Sequence, residues 1–348
     1  MDIFLSLIKK ETLHLVRDSQ TMLVVLVMPV ILLLLFGFAI SMEINNIRIA
    51  TVVTRHDDTT RDIIARFNTN PYFIYKGLTD TGHAQDMLRR GEIDVAVVLR
   101  PDNGVLETQI ITDASNTATS QSVTAYVQGV ISENNASPVL SDTLYNPQLK
   151  SSYNFVPGIM GMIFILICAM MTSVSIVSEK ERGTMDLLLV SPILPRTIIF
   201  GKLVPYFILS CTILALMLLM SYTLLDIPLS SSIFNVIWIT LLYITLALSI
   251  GLFISTIANT QLVALIISAV LCMIPVIMFS GMIFPIDNMP RALQWFSCVI
   301  PARWYVSAMR KLMIQQLPAG YVLKEIIILT GMTVATLALA IKKFNKSK

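Results

Sequence analysis

The sequence predicts an α-helical polytopic membrane protein of six transmembrane helices, with an α/β extracytoplasmic domain inserted between the first and second spans. Three observations carry this reading. The 348 residues are 55% hydrophobic and only 14% charged, with a mean hydropathy of +0.74, whereas soluble domains carry about 25% charged residues. Six apolar runs are each long enough to cross a bilayer core of ~30 Å. One block, Glu43 to Asn154, is acidic, with nine Lys/Arg against thirteen Asp/Glu, while the remainder holds sixteen against nine. Clustered Lys/Arg with aromatics, the footprint of nucleic-acid binding, is not the pattern.

Residues 1–20 precede the first span. Phe4, Leu7, Ile8, Leu15 and Val16 recur near helical spacing, with Lys9, Lys10, His14 and Arg17 between them. This predicts an amphipathic helix lying at the membrane surface. A polar lead-in that only sets orientation also fits. Lys9, Lys10 and Arg17 place the N-terminus in the cytoplasm. Thr21 to Ser41 is the first span; its charged lead and apolar run are too long for a cleaved signal peptide.

Residues 42–154 are expected outside. Ile47 to Val53, Asp94 to Leu99, Thr108 to Ile111 and, more weakly, Tyr72 to Tyr75 read as strands. Thr59 to Phe67, Thr81 to Arg90 and Asn116 to Asn134 read as helices. His56 and His83 lie in polar surroundings and read as solvated. Asp57 and Asp58 read as a turn or a helix start. None of Cys168, Cys211, Cys272 and Cys298 lies in this block, so it must fold on its own core without disulfides. The cysteines read as small apolar residues, and no metal site is expected.

The remaining spans fall at Phe155 to Ser178, Leu203 to Leu225, Ile233 to Ala258, Leu262 to Phe284 and Tyr321 to Ile341, within 155–341. The tail 342–348 carries Lys342, Lys343, Lys346 and Lys348, and residues 179–202 carry Lys180, Arg182, Arg196 and Lys202. Both therefore read as cytoplasmic, as do both termini. The turn Asn259 to Gln261 is uncharged and carries no orientation signal. Residues 285–320, from Pro285, read as an outer re-entrant segment of two short helices. Asp287 or Asn288 would cap the first ahead of Pro290 and Trp295; Pro301 would end it. Ala302 to Gln316, with Arg303 and Trp304, would form the second. An ordinary surface-lying loop is the alternative.

The spans hold almost no ionisable side chains; Lys324 and Glu325, near the end of the last one, are expected to snorkel. Ion-coupled transporters keep such residues inside the bilayer, so their scarcity disfavours a secondary transporter and an intramembrane protease. No phosphate-cradling G-x-x-x-x-G-K-[ST] loop is present, since Gly201-Lys202 is followed by Leu203. Ala247, Gly251 and Ser255 recur every four residues, a stripe where another helix can approach closely. Pro29, Pro157, Pro205 and Pro275 each sit in a span, as bends or as kinks that neighbours repair.

Between the second and third spans, Glu179 to Lys202 is too polar to cross a membrane. Gly183-Thr184 allow a break, Met185 to Val190 read as a short helix ended by Ser191-Pro192, and Pro195 begins the return. This is a short elbow suited to transmit a push, or else a snorkelling loop with two prolines.

ERGTMDLLLVSPILPRTIIFGK is similar to the cytoplasmic segment of bacterial type-2 ABC exporter permeases, drug- or lipid-exporter-like and with a large extracytoplasmic domain. YNPQLKSSYNFVPGIMG, GLFISTIANTQ and FSGMIFPIDNMPRALQWFSCVIPARWY resemble further segments of that family, in the same order, and the likeness covers essentially the whole chain. The resemblance implies a non-enzymatic permease subunit in the bacterial inner membrane. It would pair with a second permease, identical or a paralogue, and would dock a separate ATPase that binds ATP and Mg. No cofactor is expected in this chain. Glu179, Lys180, Glu181, Arg182, Gly183, Thr184 and Met185 would couple to the ATPase, with Lys9, Lys10 and Arg17 on the interface helix. A periplasmic adaptor and outer-membrane channel are weaker expectations. The rival reading is a membrane-anchored sensor or assembly factor. The uncharged pathway leans towards hydrophobic or lipid-like cargo.

Overall fold

The computed structural model describes residues 2–36, 47–54, 57–102, 105–112, 117–132, 151–185, 195–225, 227–228, 233–286 and 289–346. The chain divides into two compact units, Met1–Ile40 with Ser151–Lys348, and Ser41–Lys150.

The smaller unit is a four-stranded sheet in the order β2-β1-β3-β4, built from β1 (Ile47–Val53), β2 (Phe73–Leu78), β3 (Val95–Asp102) and β4 (Val105–Thr112). β1 runs parallel to β2 and β3, and β3 pairs antiparallel with β4 from Val95↔Thr112 to Asp102↔Val105. Helices α3 (Asp58–Thr69), α4 (Thr81–Arg89) and α5 (Thr117–Ser132) complete it. The two-residue period of a strand explains why β3 reads VAVVL without a polar break. Val95, Val97 and Leu99 pack with Ile63 and Phe67 of α3 and Val123 and Val127 of α5. Ala96 and Val98 face the other way, onto Ala84 of α4. Asp57 is the N-cap of α3, accepting from the Thr60 amide at 2.8 Å in a reciprocal capping box. His83 is exposed in the first turn of α4, where its backbone amide donates to Asp80. His56 lies outside the described residues.

Arg48 on β1 clamps the start of β3. Its amide and guanidinium donate to the Asp94 carboxylate at 2.9 and 2.6 Å. Burial pushes the Asp94 pKa up, but the hydrogen bonds and charge of Arg48 outweigh it and hold the carboxyl below its ordinary value. A depressed carboxyl stabilises the fold above its unfolded pKa of about 4 and ceases to do so as pH falls through the lower folded value. Arg48→Met is therefore expected to speed amide exchange along β1 and β3 at about pH 6, with the difference from wild type closing towards about pH 3. An unchanged gap across that range would dissociate the clamp from this carboxyl.

The larger unit is helical. It contains α1 (Asp2–Arg17), α2 (Ser19–Leu34), α6 (Ser151–Glu181), α7 (Pro195–Thr223), α8 (Ile233–Ser255), α9 (Gln261–Phe279), α10 (Arg291–Ser297), α11 (Pro301–Met309) and α12 (Leu323–Lys346). A π-helical turn, Arg310–Ile314, follows α11, and a 3₁₀ turn, Ala319–Val322, precedes α12. Among the described residues, five helical stretches are long and apolar enough to cross a membrane: Phe155–Glu181, Thr197–Thr223, Ile233–Ser255, Gln261–Phe279 and Ala319–Lys343. A sixth is reached if the pair Phe4–Arg17 and Thr21–Leu34, bent by 71°, counts as one span. The 16 residues of α2 rise only ~24 Å, so the expected span to Ser41 depends on residues outside the described set. Pro29, Pro157, Pro205 and Pro275 lie inside continuous helices.

Packing centres on α6. The small-residue stripe of α8 meets it closely: a Cβ added at Gly251 would lie 2.5 Å from the Ala169 carbonyl oxygen. Tyr243 of α8 donates to the Gly161 carbonyl at 3.0 Å and stacks on Tyr305 of α11 at 4.3 Å. Thr240 Oγ1 and the Tyr305 hydroxyl share a hydrogen bond of 3.2 Å. These buried hydroxyls are thus paired between helices, as a low-dielectric interior favours.

Residues 285–320 correct the expected loop in three respects. The helix cap is Pro290, with no side-chain hydrogen bond, rather than Asp287 or Asn288, which lie outside the described residues. The end of α10 is held instead by Arg303, whose Nη1 donates to the Gln294 carbonyl at 2.8 Å. Pro301 starts α11, where its missing N–H costs nothing. The second helix is α-helical to Met309 and π-helical on to Ile314, two residues short of Gln316, and is largely buried, through Ala302, Trp304, Tyr305 and Val306, so it is no surface-lying loop. Trp304 Nε1 donates to the Cys298 carbonyl at 2.9 Å, while Trp295 is 79% exposed. Glu325 does not snorkel. It is 2% exposed and pairs with Lys311 Nζ at 2.7 Å and Ser307 at 3.1 Å. Its partner, 14 residues earlier, is brought to it by the turn between α11 and α12. Lys324 remains exposed, its ammonium 5.5 Å from the Trp304 ring centre.

Candidate functional site

The charged end of α6 is the site singled out by its residue types. Side chains advance about 100° per residue around a helix, so three consecutive charges point three ways. Glu179 Oε1 meets Lys10 Nζ of α1 at 2.7 Å and Glu179 Oε2 lies 3.0 Å from Lys202 Nζ of α7. The Lys202 contact is off the line of a directed hydrogen bond and is coulombic. Lys180 Nζ donates to the Ala258 carbonyl at 3.1 Å and to Asn259 Oδ1 at 2.7 Å, in the turn after α8. Glu181 Oε2 accepts from the amide and side chain of Gln261 at 3.1 and 3.0 Å, where α9 begins. Lysine at a helix C-terminus and glutamate at a helix N-terminus each complement the helix dipole. The uncharged turn Asn259 to Gln261 is thus the receiving surface for two of the predicted residues.

Gly183 ends α6 in the left-handed region at φ +72, the usual conformation of a glycine just past a helix. Thr184 Oγ1 donates to the Glu179 carbonyl at 3.2 Å, and Met185 is buried. Arg182 is exposed. Residues 186–194, which include most of the expected short helix, lie outside the described set, and α7 already begins at Pro195.

Behind Glu179 lies a buried cluster that the residue pattern did not reveal. Glu11 is 5% exposed and Lys202 4%. Glu11 Oε1 accepts from the Tyr206 hydroxyl at 2.9 Å and from the Ser175 hydroxyl. Lys202 Nζ stands 3.4 Å from Ser175 Oγ and 3.8 Å from Glu11 Oε2. Two carboxylates, Glu11 and Glu179, face two ammonium groups, Lys10 and Lys202, so the cluster is neutral as a set. It joins α1, α6 and α7. The available signal was that Glu11 occupies the i+4 position between Leu7 and Leu15, on the stripe of α1 that faces the bundle.

Lys9 and Arg17 are exposed on α1. With Ser6, Lys10, Leu13, His14, Asp18 and Arg182 they line an open cleft of about 800 Å³. Among the described residues no three His, Cys, Asp or Glu side chains converge as metal ligands.

These features define a polytopic helical membrane protein with a charged cluster at the end of α6. The model for the ABC-2 family transporter proteins matches residues 20–342, and the chain belongs to that family. It is 30% identical over 327 residues to "Probable multidrug ABC transporter permease YbhS" of Escherichia coli (strain K12), covering 87% of this chain and 86% of that protein. It is 26% identical over 362 residues to "Probable multidrug ABC transporter permease YbhR" of the same strain, covering 98% of each. "Inner membrane transport permease YhhJ", also of that strain, is 26% identical over 257 residues, covering 69% of this chain and 67% of that protein. The chain is a transmembrane permease subunit of an ABC transporter, a transport subunit rather than an enzyme, and its transporter includes an ATPase.

Proposed function

We propose that this permease exports its cargo through a pathway formed with a second permease subunit, and that the ATPase docks on α1 and on residues 179–185. The observation that carries the reading is the splay of Glu179, Lys180 and Glu181 onto α1, α7 and the α8–α9 turn. A force applied at Arg182 to Met185 would reach these three neighbouring elements through 2.7–3.1 Å contacts without passing through a flexible linker. Lys9, Lys10 and Arg17 add positive charge to the same surface. ATP and Mg would be bound by the partner, and hydrolysis there would rock the two permease bundles as rigid bodies. Both termini would be cytoplasmic, the membrane the bacterial inner one, and the α/β unit extracytoplasmic. There it would be positioned to meet a periplasmic adaptor leading to an outer-membrane channel. The names of two relatives include "multidrug", which agrees with the hydrophobic cargo that an uncharged apolar bundle favours.

Co-purification in mild detergent with the ATPase tests this. Arg182→Glu reverses an exposed charge and is expected to weaken the complex about tenfold or to uncouple its ATP hydrolysis. A permease that purifies alone, with no associated hydrolysis and no response to the substitution, would refute the docking surface.

A further inference from the structure

We propose that β4, a free edge of the sheet in the α/β unit, pairs antiparallel with β4 of a second copy of this chain, joining two four-stranded sheets into one about a two-fold axis. The proposal rests on the second permease subunit being an identical chain, and it names the surface through which the two α/β units meet.

The two edges of the sheet differ. β2 carries the features that keep an edge strand single. Lys76 stands within it, Gly77 adopts φ +106, and its register with β1 shifts between Ile49 and Thr51. β4 carries none of these. Its eight residues, VLETQIIT, contain no Lys, Pro or Gly and run in unbroken register with β3. Among the described residues β3 is its one partner strand, on one side only. A long, regular edge of this kind is a template for another strand.

The second copy is singled out by the match of β4 with itself. The Thr54 amide donates to the Leu99 carbonyl at 3.3 Å, so Leu99, and by alternation Val97 and Val95, present their backbone groups to β1. Ala96, Val98 and Arg100 present theirs to β4, opposite Ile111, Gln109 and Glu107. The N–H and C=O groups of Leu106, Thr108 and Ile110 therefore point out of the sheet edge. A second β4 laid antiparallel with Thr108 opposite Thr108 meets these groups with the same groups of its own. Leu106 then lies opposite Ile110, on the face where both pack against the core cluster of Phe67 and Val123. On the other face the exposed Glu107 lies opposite the exposed Gln109, an acceptor opposite a donor. Centring the pair on Glu107 would oppose two carboxylates, and centring it on Gln109 would oppose Leu106 to Thr112. The register centred on Thr108 is isologous, and with the β2 edge blocked the assembly closes at two copies.

The experiment uses the full chain in mild detergent. Opposed Cα atoms of a hydrogen-bonded pair lie about 5.5 Å apart, within reach of a disulfide. Thr108→Cys should therefore cross-link into dimers under mild oxidation, with wild type, whose four cysteines lie in the helical unit, as the blank. Glu107→Cys and Gln109→Cys place like residues about 7–8 Å apart on the diagonal and should cross-link at least tenfold more slowly. Thr108→Pro removes an outward amide and leaves the ladder with β3 intact, the position where an edge strand tolerates proline. It removes two symmetry-related hydrogen bonds and should raise the dimer dissociation constant, read by analytical ultracentrifugation, about tenfold. A dimer that Thr108→Cys does not cross-link and that is indifferent to Thr108→Pro would overturn the proposal and leave the edge to a strand of another protein, such as an adaptor, with the pairing of two permeases still standing. A chain that stays monomeric would overturn the pairing of identical permeases and this proposal with it.

Discussion

Lys202→Met is expected to destabilise the helical unit by about 3–5 kcal/mol, the range for removing one partner of a buried ion pair. The methylene stem is replaced almost isosterically, so the loss is electrostatic. Without the Lys202 ammonium, Glu11 and Glu179 share one counter-ion, Lys10, which contacts Glu179 alone. Glu11 keeps its hydrogen bonds from Tyr206 and Ser175, but those do not neutralise a charge. Adding Glu11→Gln restores neutrality, because Lys10 and Glu179 then balance, and the Gln carbonyl still accepts from Tyr206. The double variant should therefore regain at least half of the lost stability. Thermal unfolding in detergent across the four-member cycle measures this, since coupled neighbours depart from additivity by about 0.5–3 kcal/mol. Additive losses would mean that the two side chains do not share a charge environment. Protease cleavage between α1 and α2 should rise in the single variant, because the cluster is what holds α1 against α6 and α7.

The same cluster marks the boundary of what the residues disclose. Apolar runs declare the spans because length and hydropathy are local properties. β3 and its neighbours are legible for the same reason, as short β-branched runs between turns. The charged end of α6 is legible as a set of residue types, since charges so close to a span need some partner. Which partner is not, because Lys10, Lys202, Asn259 and Gln261 are distant in sequence and only packing brings them to one place. Glu11 is concealed by its neighbours: between Lys10 and Thr12 it reads as one more polar residue, and only its register with Leu7 and Leu15 hints that it faces inward. Glu325 misleads in the opposite sense. Proximity to the end of a span suggests a route to water, but the π-turn after α11 delivers Lys311 to it and makes burial cheaper than escape. The cap of α10 goes astray for a related reason: Asp287 and Asn288 have the right chemistry, but they stand four and three residues before Arg291, and the chain supplies Arg303 from the next helix to hold the far end.

Gly251→Leu is expected to disrupt the contact of α8 with α6, with a loss at or above the upper end of the ~1–3 kcal/mol typical of overpacking. The first added atom decides it. A Cβ at this position would lie 2.5 Å from the Ala169 carbonyl oxygen, 2.9 Å from Ala169 Cα and 2.9 Å from Thr172 Cβ. Two of these three are backbone atoms of α6, which cannot swing aside as a side chain does, so relief requires the two helices to separate along their whole contact. Helix propensity pushes the other way, since glycine costs ~1 kcal/mol relative to alanine in a helix interior. Gly331 of α12 separates the two effects, because a Cβ there would meet nothing within 4 Å. Gly331→Ala should leave the melting temperature unchanged or slightly raised, whereas Gly251→Ala should lower it and Gly251→Leu should lower it further. If the two alanine variants behaved alike, the close approach of α8 to α6 would have no energetic consequence, and the small-residue stripe through Ala247, Gly251 and Ser255 would be incidental. With the expected order, the stripe is what brings α8 against α6, and with it Lys180 onto the turn after α8.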